Sequence, residues 1–511
     1  MRILLSGLCF LLATPAYGQS PNTAALCEQL SSVKLPNTTI TFAHIVDAGT
    51  FTPPSPIGAA RTPPDSAMQA FRGLPAFCRV AATLKPSAES DIKIEVWLPA
   101  SGWNGKFQAT GNGGWSGNID RNALAAGIRR GYATASTDTG HQGGGGPWMR
   151  NREKLVDYGH RAVHEMAVTG KAITAAFYGS QARLSYFTGC SGGGRQGLMA
   201  AQRYPEDFDG IVAGAPALNA TGRAVFSMYV AQNLLLDEAA YIPESKYPAI
   251  HDAVLQACDA LDGVKDRVIE NPLVCSFDPK VMVCTAGDAT SCLTPPQVEA
   301  ARKMYQPVMN ARTRKEVFPG LAYGSELGWD TFGAQQPFGL GTQMFQFLVF
   351  DNPNWDFKTL NFDQDMTAVE KAEAGLINAR DPNLKNFAAR GGKLIQYHGW
   401  ADPQIPAATS TQYYQSVLDT MGAEKVMESY RLFMVPGMNH CGGGDGAASF
   451  DMLTALEQWV EKKQTPDQVP ASHITDGRVD RTRPLCPYPQ IARYKGTGST
   501  ADAASFTCKA P

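Results

Sequence analysis

The chain has 511 residues, 44% of them hydrophobic and 18% charged, and a formal charge of -2. That length builds one large domain with an inserted module, or two domains. The near-neutral balance argues against a nucleic-acid partner and no charge run marks a disordered tail, while 50 glycines and 34 prolines point to many loops.

Residues 1–18 read as a secretory signal, with Arg2, an apolar core from 3 to 13, and Ala16-Tyr17-Gly18 before the expected cleavage at Gln19. The apolar run is too short to span a bilayer. Cys9 lacks the small residue before it that a lipoprotein site needs. No later segment suits a membrane, so the expected location is secreted or periplasmic, with no membrane contact after signal removal.

Residues 38–52 read as strand material, ended by Pro53, Pro54, Pro56, Pro63 and Pro64. Residues 91–98 alternate polar and apolar, as a half-buried strand does. Residues 106–110 form another strand, running into Gly111-Asn112-Gly113-Gly114-Trp115. A strand at 131–137 and a helix at 161–178 follow, then a strand at 184–188, a helix at 195–203 and a short buried strand at 210–213. The rhythm fades between 218 and 384 and resumes with strands at 391–399 and 429–435 and a helix at 447–462. Alternation of this kind predicts an α/β fold around a largely parallel sheet. Residues 19–217 and 385–511 are assigned to the sheet domain, and 218–384 to an inserted lid.

Gly189-Cys190-Ser191-Gly192-Gly193 lies between a strand and a helix, the context of a G-x-S-x-G nucleophile elbow. Ser191 is the candidate nucleophile, and the Gly192 amide a candidate oxyanion donor. A second donor is expected from Gly113 or Gly114, in a glycine loop that follows an early strand. His440, in a loop between a strand and a helix, is the candidate base. Asp402, in His398-Gly399-Trp400-Ala401-Asp402-Pro403, is the candidate orienting acid. The chain order Ser, Asp, His is that of α/β-hydrolases. His398 and the pair Asp138 and His141 also follow strands and stand as rivals.

Without Cys9, ten cysteines remain. An even count in an exported chain argues for disulfides, and the lack of a C-x-x-C pair argues against zinc. Neighbours in sequence suggest Cys258–Cys275, Cys284–Cys292 and Cys486–Cys508, and Cys27–Cys78 closes the N-terminal segment. Cys190 and Cys441 are left. They are either bonded, tethering the elbow to the base loop, or separately buried thiols.

Asp259, Asp262 and Asp266 surround a glycine turn, and the Val264 and Val268 carbonyls could complete an oxygen shell for Ca²⁺. The spacing is not that of an EF-hand, and a solvated acidic turn is the other reading.

Cys190-Ser191, Asp402 and His440-Cys441 together resemble the tannase and feruloyl esterase family, which includes feruloyl esterases, tannases and mono(hydroxyethyl) terephthalate hydrolases. The resemblance runs from Cys27 to Cys508. It implies an α/β-hydrolase fold with a large inserted lid, all five cysteine pairs, and a structural calcium in the lid at Asp259, Asp262, Val264, Asp266 and Val268. It also implies a carboxylic ester hydrolase acting on small esters of aromatic acids. Feruloyl or other hydroxycinnamoyl esters are the favoured substrates, with galloyl esters and mono(hydroxyethyl) terephthalate as alternatives. A non-catalytic exported binding module and a serine peptidase are readings from other classes. Residues 316–357 hold seven candidate rings, Trp329, Phe332, Phe338, Phe345, Phe347, Phe350 and Trp355, and no Lys or Arg. They read equally as a substrate wall or as the lid's own core. The missing cation counts against a substrate with a free carboxylate, because burying that charge unpaired is costly.

Overall fold

The computed structural model describes residues 23–53 and 68–511. The expected signal at 1–18 and most of the proline-rich loop lie outside the described residues. Seven strands lead into the insertion: β1 (Thr38–Val46), β2 (Phe77–Leu84), β3 (Ile92–Pro99), β4 (Lys106–Thr110), β5 (Ala133–Thr137), β6 (Leu184–Cys190) and β7 (Gly210–Gly214). Two follow it, β8 (Lys393–Gly399) and β9 (Tyr430–Val435). Together they make one nine-stranded sheet in the order β1-β2-β3-β5-β4-β6-β7-β8-β9. The pairs from β1 through β3 to β5 are antiparallel, and every pair from β5 through β4 to β9 is parallel.

Helices cover both faces, as a parallel sheet requires. These are α1 (Ala162–Tyr178), α2 (Gly192–Arg203), α5 (Ala408–Met421) and α6 (Met452–Lys462). Phe107, Ala135, Phe187 and Leu394 of the sheet pack with Met166, Ile173, Leu198 and Val417 in one core. Tyr186, Ile395 and Phe433 face Leu456 and Trp459 in another.

Between β7 and β8 the chain adds no strand to this sheet. It forms α3 (Ala220–Leu235), α4 (Tyr247–Cys258) and shorter elements around a separate core that includes Phe226, Ile250, Trp329, Phe332 and Phe345. Six of the seven candidate rings pack on other rings inside the insertion. Trp329 packs on Tyr247 and Tyr305, Phe332 on Phe226 and Phe338, and Phe345 on Phe350 and Trp355.

Expected and observed bounds differ in instructive places. The first strand stops at Val46, ahead of the turn at Gly49 (φ 73°). The last helix begins at Met452, where the Asp451 carboxylate accepts the Thr454 amide and caps it. Strand β2 and two C-terminal hairpins, Val469–Thr475 with Arg478–Leu485 and Ile491–Tyr494 with Phe506–Lys509, had no expectation. All five expected cysteine pairs are bonded. Among the described residues no helix is long and apolar enough to cross a membrane.

Candidate active site

Ser191 sits between β6 and α2 with φ 61° and ψ -120°, a backbone conformation that L-residues rarely adopt. Strain of this kind persists only where the surroundings fix it. Here the Ser191 amide donates to the Gly214 carbonyl at 2.9 Å, and its carbonyl accepts from Arg195 and Ala217, each at 3.0 Å. The glycines explain how the turn fits. A Cβ on Gly194 would stand 2.2 Å from the Gly214 oxygen, and one on Gly189 would stand 2.7 Å from the Gly193 oxygen.

The 111–115 loop packs against the start of α2. A Cβ on Gly192 would lie 3.3 Å from the Gly114 nitrogen, so the two backbones run side by side. Asn112 fixes the loop: its amide donates to Gln196 Oε1 at 3.0 Å, and its Nδ2 donates to the Asn118 and Thr137 carbonyls at 2.8 and 2.7 Å. The Tyr158 hydroxyl donates to the Gly114 carbonyl at 2.8 Å, and Trp115 Nε1 to the Leu340 carbonyl at 3.1 Å. Of the two expected glycines, Gly114 is thus the one beside Gly192; a Cβ on Gly113 would meet nothing within 4 Å.

Asp402 follows β8 and His440 follows β9, at the same carboxyl edge of the sheet as Ser191. His440 Nδ1 lies 2.7 Å from Asp402 Oδ2. Asp402 is fully buried, and its Oδ1 accepts the amides of Gln404 and Ile405 at 2.8 and 3.0 Å. Burial alone would raise its pKa; hydrogen bonds and charge from His398 and His440 outweigh that and hold the carboxyl well below the usual range. The Cys190–Cys441 bond, with Cα atoms 6.0 Å apart, joins the residue before Ser191 to the residue after His440.

The rivals have other partners. His398 is fully buried, and its Nε2 lies 3.1 Å from Asp402 Oδ2 and 3.0 Å from the Ile405 carbonyl. Ser410 Oγ accepts from Gln396 at 2.6 Å and lies 2.6 Å from His398 Nδ1. That leaves the serine proton for Nδ1 and the His398 proton on Nε2, facing Asp402. Asp138 accepts the Lys93 and Gly140 amides, and His141 Nε2 donates to the Trp115 carbonyl. His141 thus braces the 111–115 loop, and Asp138 ties its own turn to β3.

This geometry has relatives. A family model described as tannase and feruloyl esterase matches residues 78–509. The chain belongs to that family. It is 36% identical to an uncharacterized esterase of Xanthomonas campestris pv. campestris, over 99% of this chain and 95% of the relative. It is 33% identical to a probable feruloyl esterase B-2 of Aspergillus oryzae, over 93% of each. The crystal structure of feruloyl esterase B from Aspergillus oryzae superposes with a TM-score of 0.88 at 31% identity, covering 96% of this chain and 100% of that one. The tannin acyl hydrolase from Aspergillus niger, at 23% identity and a TM-score of 0.79 over 96% of each chain, shares the fold. As a member of the family, the chain is a carboxylic ester hydrolase with an α/β-hydrolase fold.

In this esterase the acidic turn is partly occupied by the protein itself. Asp259 accepts the Asp266 and Arg267 amides at 3.2 and 3.1 Å, and Asp262 accepts the Val264 amide at 2.9 Å. Asp266 faces Arg481 at 3.3 Å and Arg483. Burial, followed by the charges of Asp266 and Asp259, pushes the Asp262 carboxyl up to about 6. Aspartate carboxylates with backbone carbonyls are the donor chemistry of a hard divalent cation. Among the described residues no three acidic, histidine or cysteine side chains stand at metal-ligating spacing.

Sequence reasoning missed three polar residues that frame the site. Tyr158 holds Gly114. His251 of α4 joins Glu326 (Nδ1 to Oε2, 2.8 Å) to Asp445 of the His440 loop (Nε2 to Oδ2, 3.3 Å). Arg223 lies buried in the first turn of α3. The signal for Arg223 was a lone arginine inside an apolar helical run, Ala220 to Val225.

Proposed function

We propose that this protein is an exported serine esterase that cleaves esters of aromatic acids, with hydroxycinnamoyl esters favoured. The observation that carries the reading is the Asp402–His440 hydrogen bond, 2.7 Å long, on a loop bonded through Cys441 to the residue before Ser191. His440 takes the Ser191 proton, and Ser191 attacks the ester carbonyl to form a tetrahedral intermediate. The amides of Gly192 and Gly114 hold its oxyanion. His440 then protonates the leaving alcohol and activates the water that releases the acid. Asp402 keeps the imidazole oriented and stabilises its protonated form.

The acyl preference rests on the feruloyl esterase relatives; galloyl and terephthalate monoesters are the competing substrates. The five disulfides support an oxidising compartment, secreted or periplasmic. Calcium held by Asp259, Asp262 and Asp266 with the Val264 and Val268 carbonyls would knit the lid turn together, away from Ser191, as a structural ion.

The test is a panel of methyl ferulate, methyl gallate and monomethyl terephthalate with the parent protein and three variants. Ser191→Ala and His440→Ala should abolish turnover while the melting temperature holds. Asp402→Asn should lower kcat by about 10⁴-fold. Full turnover by Ser191→Ala would overturn the mechanism, and a clear preference for methyl gallate the acyl assignment.

A further inference from the structure

Arg223 is only 6% exposed, yet its guanidinium makes no hydrogen bond or ion pair with any described residue. Its one direct partner is a ring: the guanidinium carbon lies 5.2 Å from the centroid of Phe338. An arginine stays charged in a protein, and a buried charge without a counter-ion is costly. None of its nitrogens is both sealed from solvent and unpartnered, so the group still opens on a space that a ligand could enter.

The chain places that space beside the reacting atoms. The Ser191 carbonyl accepts the Ala217 amide at 3.0 Å, and six residues later α3 presents Arg223. One turn further along the same face, Ser227 Oγ would stand 2.2 Å from a Cβ on Gly341. Leu340, next to it, reaches within 3.4 Å of a Cβ on Gly114. Arg223 and Phe338 therefore sit on the side of the insertion that faces the proposed oxyanion loop. Burial pulls the arginine's pKa down, and the groups near enough to oppose that are Tyr158 and Asp402. The pairing with Phe338 answers the missing cation of residues 316–357: the lid segment itself has none, and α3 supplies one against it.

We propose that Arg223 is a specificity residue that receives a carboxylate carried by the substrate, so that the preferred esters are aromatic and anionic. This rests on the esterase reading above and narrows its substrate class. The fork geometry of arginine suits a carboxylate bound through two parallel hydrogen bonds, and the buried setting strengthens them. The carboxylate belongs either to the acyl ring, as in a terephthalate monoester, or to the alcohol.

Two ester pairs separate those sources. Monomethyl terephthalate against dimethyl terephthalate probes the acyl side; carboxymethyl ferulate against ethyl ferulate probes the alcohol side. The measured quantity is the ratio of kcat/KM for the charged ester over its neutral partner. Arg223→Met should lower that ratio by about ten- to a hundredfold for one pair, mainly through KM, and Arg223→Lys should restore part of it. A binding readout stands apart from turnover. Sodium terephthalate or glycolate should raise the melting temperature of Ser191→Ala, and adding Arg223→Met should remove that rise. Ratios unchanged within about threefold for both pairs, with melting shifts that survive Arg223→Met, would overturn the proposal. A parent protein that cleaves none of the four esters would overturn the esterase reading instead, and the melting shifts would still decide the role of Arg223.

Discussion

The Cys190–Cys441 bond allows a test that separates stability from catalysis. Converting both cysteines to serine removes a cross-link between residues 251 apart in sequence, and doing the same to Cys27–Cys78 removes one between residues 51 apart. Chain entropy assigns about 5 kcal/mol to the long closure and about 4 kcal/mol to the short one. For 511 residues the unfolding entropy is about 1 kcal/mol/K, so both variants should melt roughly 4–5 °C lower. Their activities should diverge. Cys27 ties the first described helix to β2 at the antiparallel end of the sheet, far in strand order from the elbow. Cys190 and Cys441 flank Ser191 and His440, where a drift of about 1 Å can cost a hundredfold. The Cys190→Ser, Cys441→Ser variant should therefore lose at least about tenfold in kcat, while the Cys27→Ser, Cys78→Ser variant keeps the parent kcat well below its melting temperature. Calorimetry and ester kinetics on the two variants give all four numbers. Equal kcat in both, at matched losses of Tm, would refute the idea that the bond holds the nucleophile to the base.

Three further outcomes are expected. His398→Asn should lower kcat by about tenfold, far less than Asp402→Asn, and move the acid limb of the kcat/KM profile to higher pH, because Asp402 becomes a stronger acceptor; an unmoved limb would make His398 a packing residue. Burial lowers the His251 pKa, but Asp445 and Glu326 outweigh it and push it up to about 9. Its clasp should therefore stabilise fully below pH ~6.5 and fade as pH rises through about 9, a loss on the order of 2 kcal/mol that His251→Gln should abolish. The other groups facing it are Arg267, Tyr323 and, across Glu326, Tyr305. Removing calcium with a chelator should lower Tm with no immediate loss of low-temperature turnover, and Asp262→Asn should blunt that response; a Tm indifferent to chelator in protein shown to be metal-free would leave the turn as a plain acidic loop.

The elements that place the chemistry were legible because their signals are local. The elbow is five consecutive residues between a strand and a helix; the strand runs two residues further than expected, to Cys190, and the helix starts three earlier, at Gly192. Asp402 and His440 were readable as polar residues just past strand ends. Spacing and count suggested four of the cysteine pairs; Cys190–Cys441 stayed open on the residues alone and was implied by the family resemblance. Strand β2 was less visible: Cys78, Val80, Ala82 and Leu84 alternate with half-buried residues in the structure, but the small Cys78, Ala81 and Ala82 mute that contrast in the sequence. The lid rings could not be sorted in advance, because core and substrate wall use the same side chains. Trp329 became core only through Tyr247 and Tyr305, well before it in the chain. His398 shows a different limit. Its position after a strand suggested a base, but its role depends on Ser410, Gln396 and Ile405, brought to it by folding. Arg223 left only its lone charge in the Ala220–Val225 run as a trace, since what marks it is the lack of a partner.

The Leu340 carbonyl holds the Trp115 indole, and the Leu340 side chain lies against Gly114. The insertion therefore supplies part of the scaffold on which the proposed oxyanion site is built. Exchanging residues 218–384 between relatives in search of new selectivity would transplant a piece of the rate machinery too. Such chimeras should show kcat and KM changing together, and a graft that keeps its own ring pattern but loses contact at 340 should bind well and turn over slowly. Directed evolution of this lid would then proceed fastest where the 338–341 segment is held constant and diversity is placed on the surfaces facing away from it.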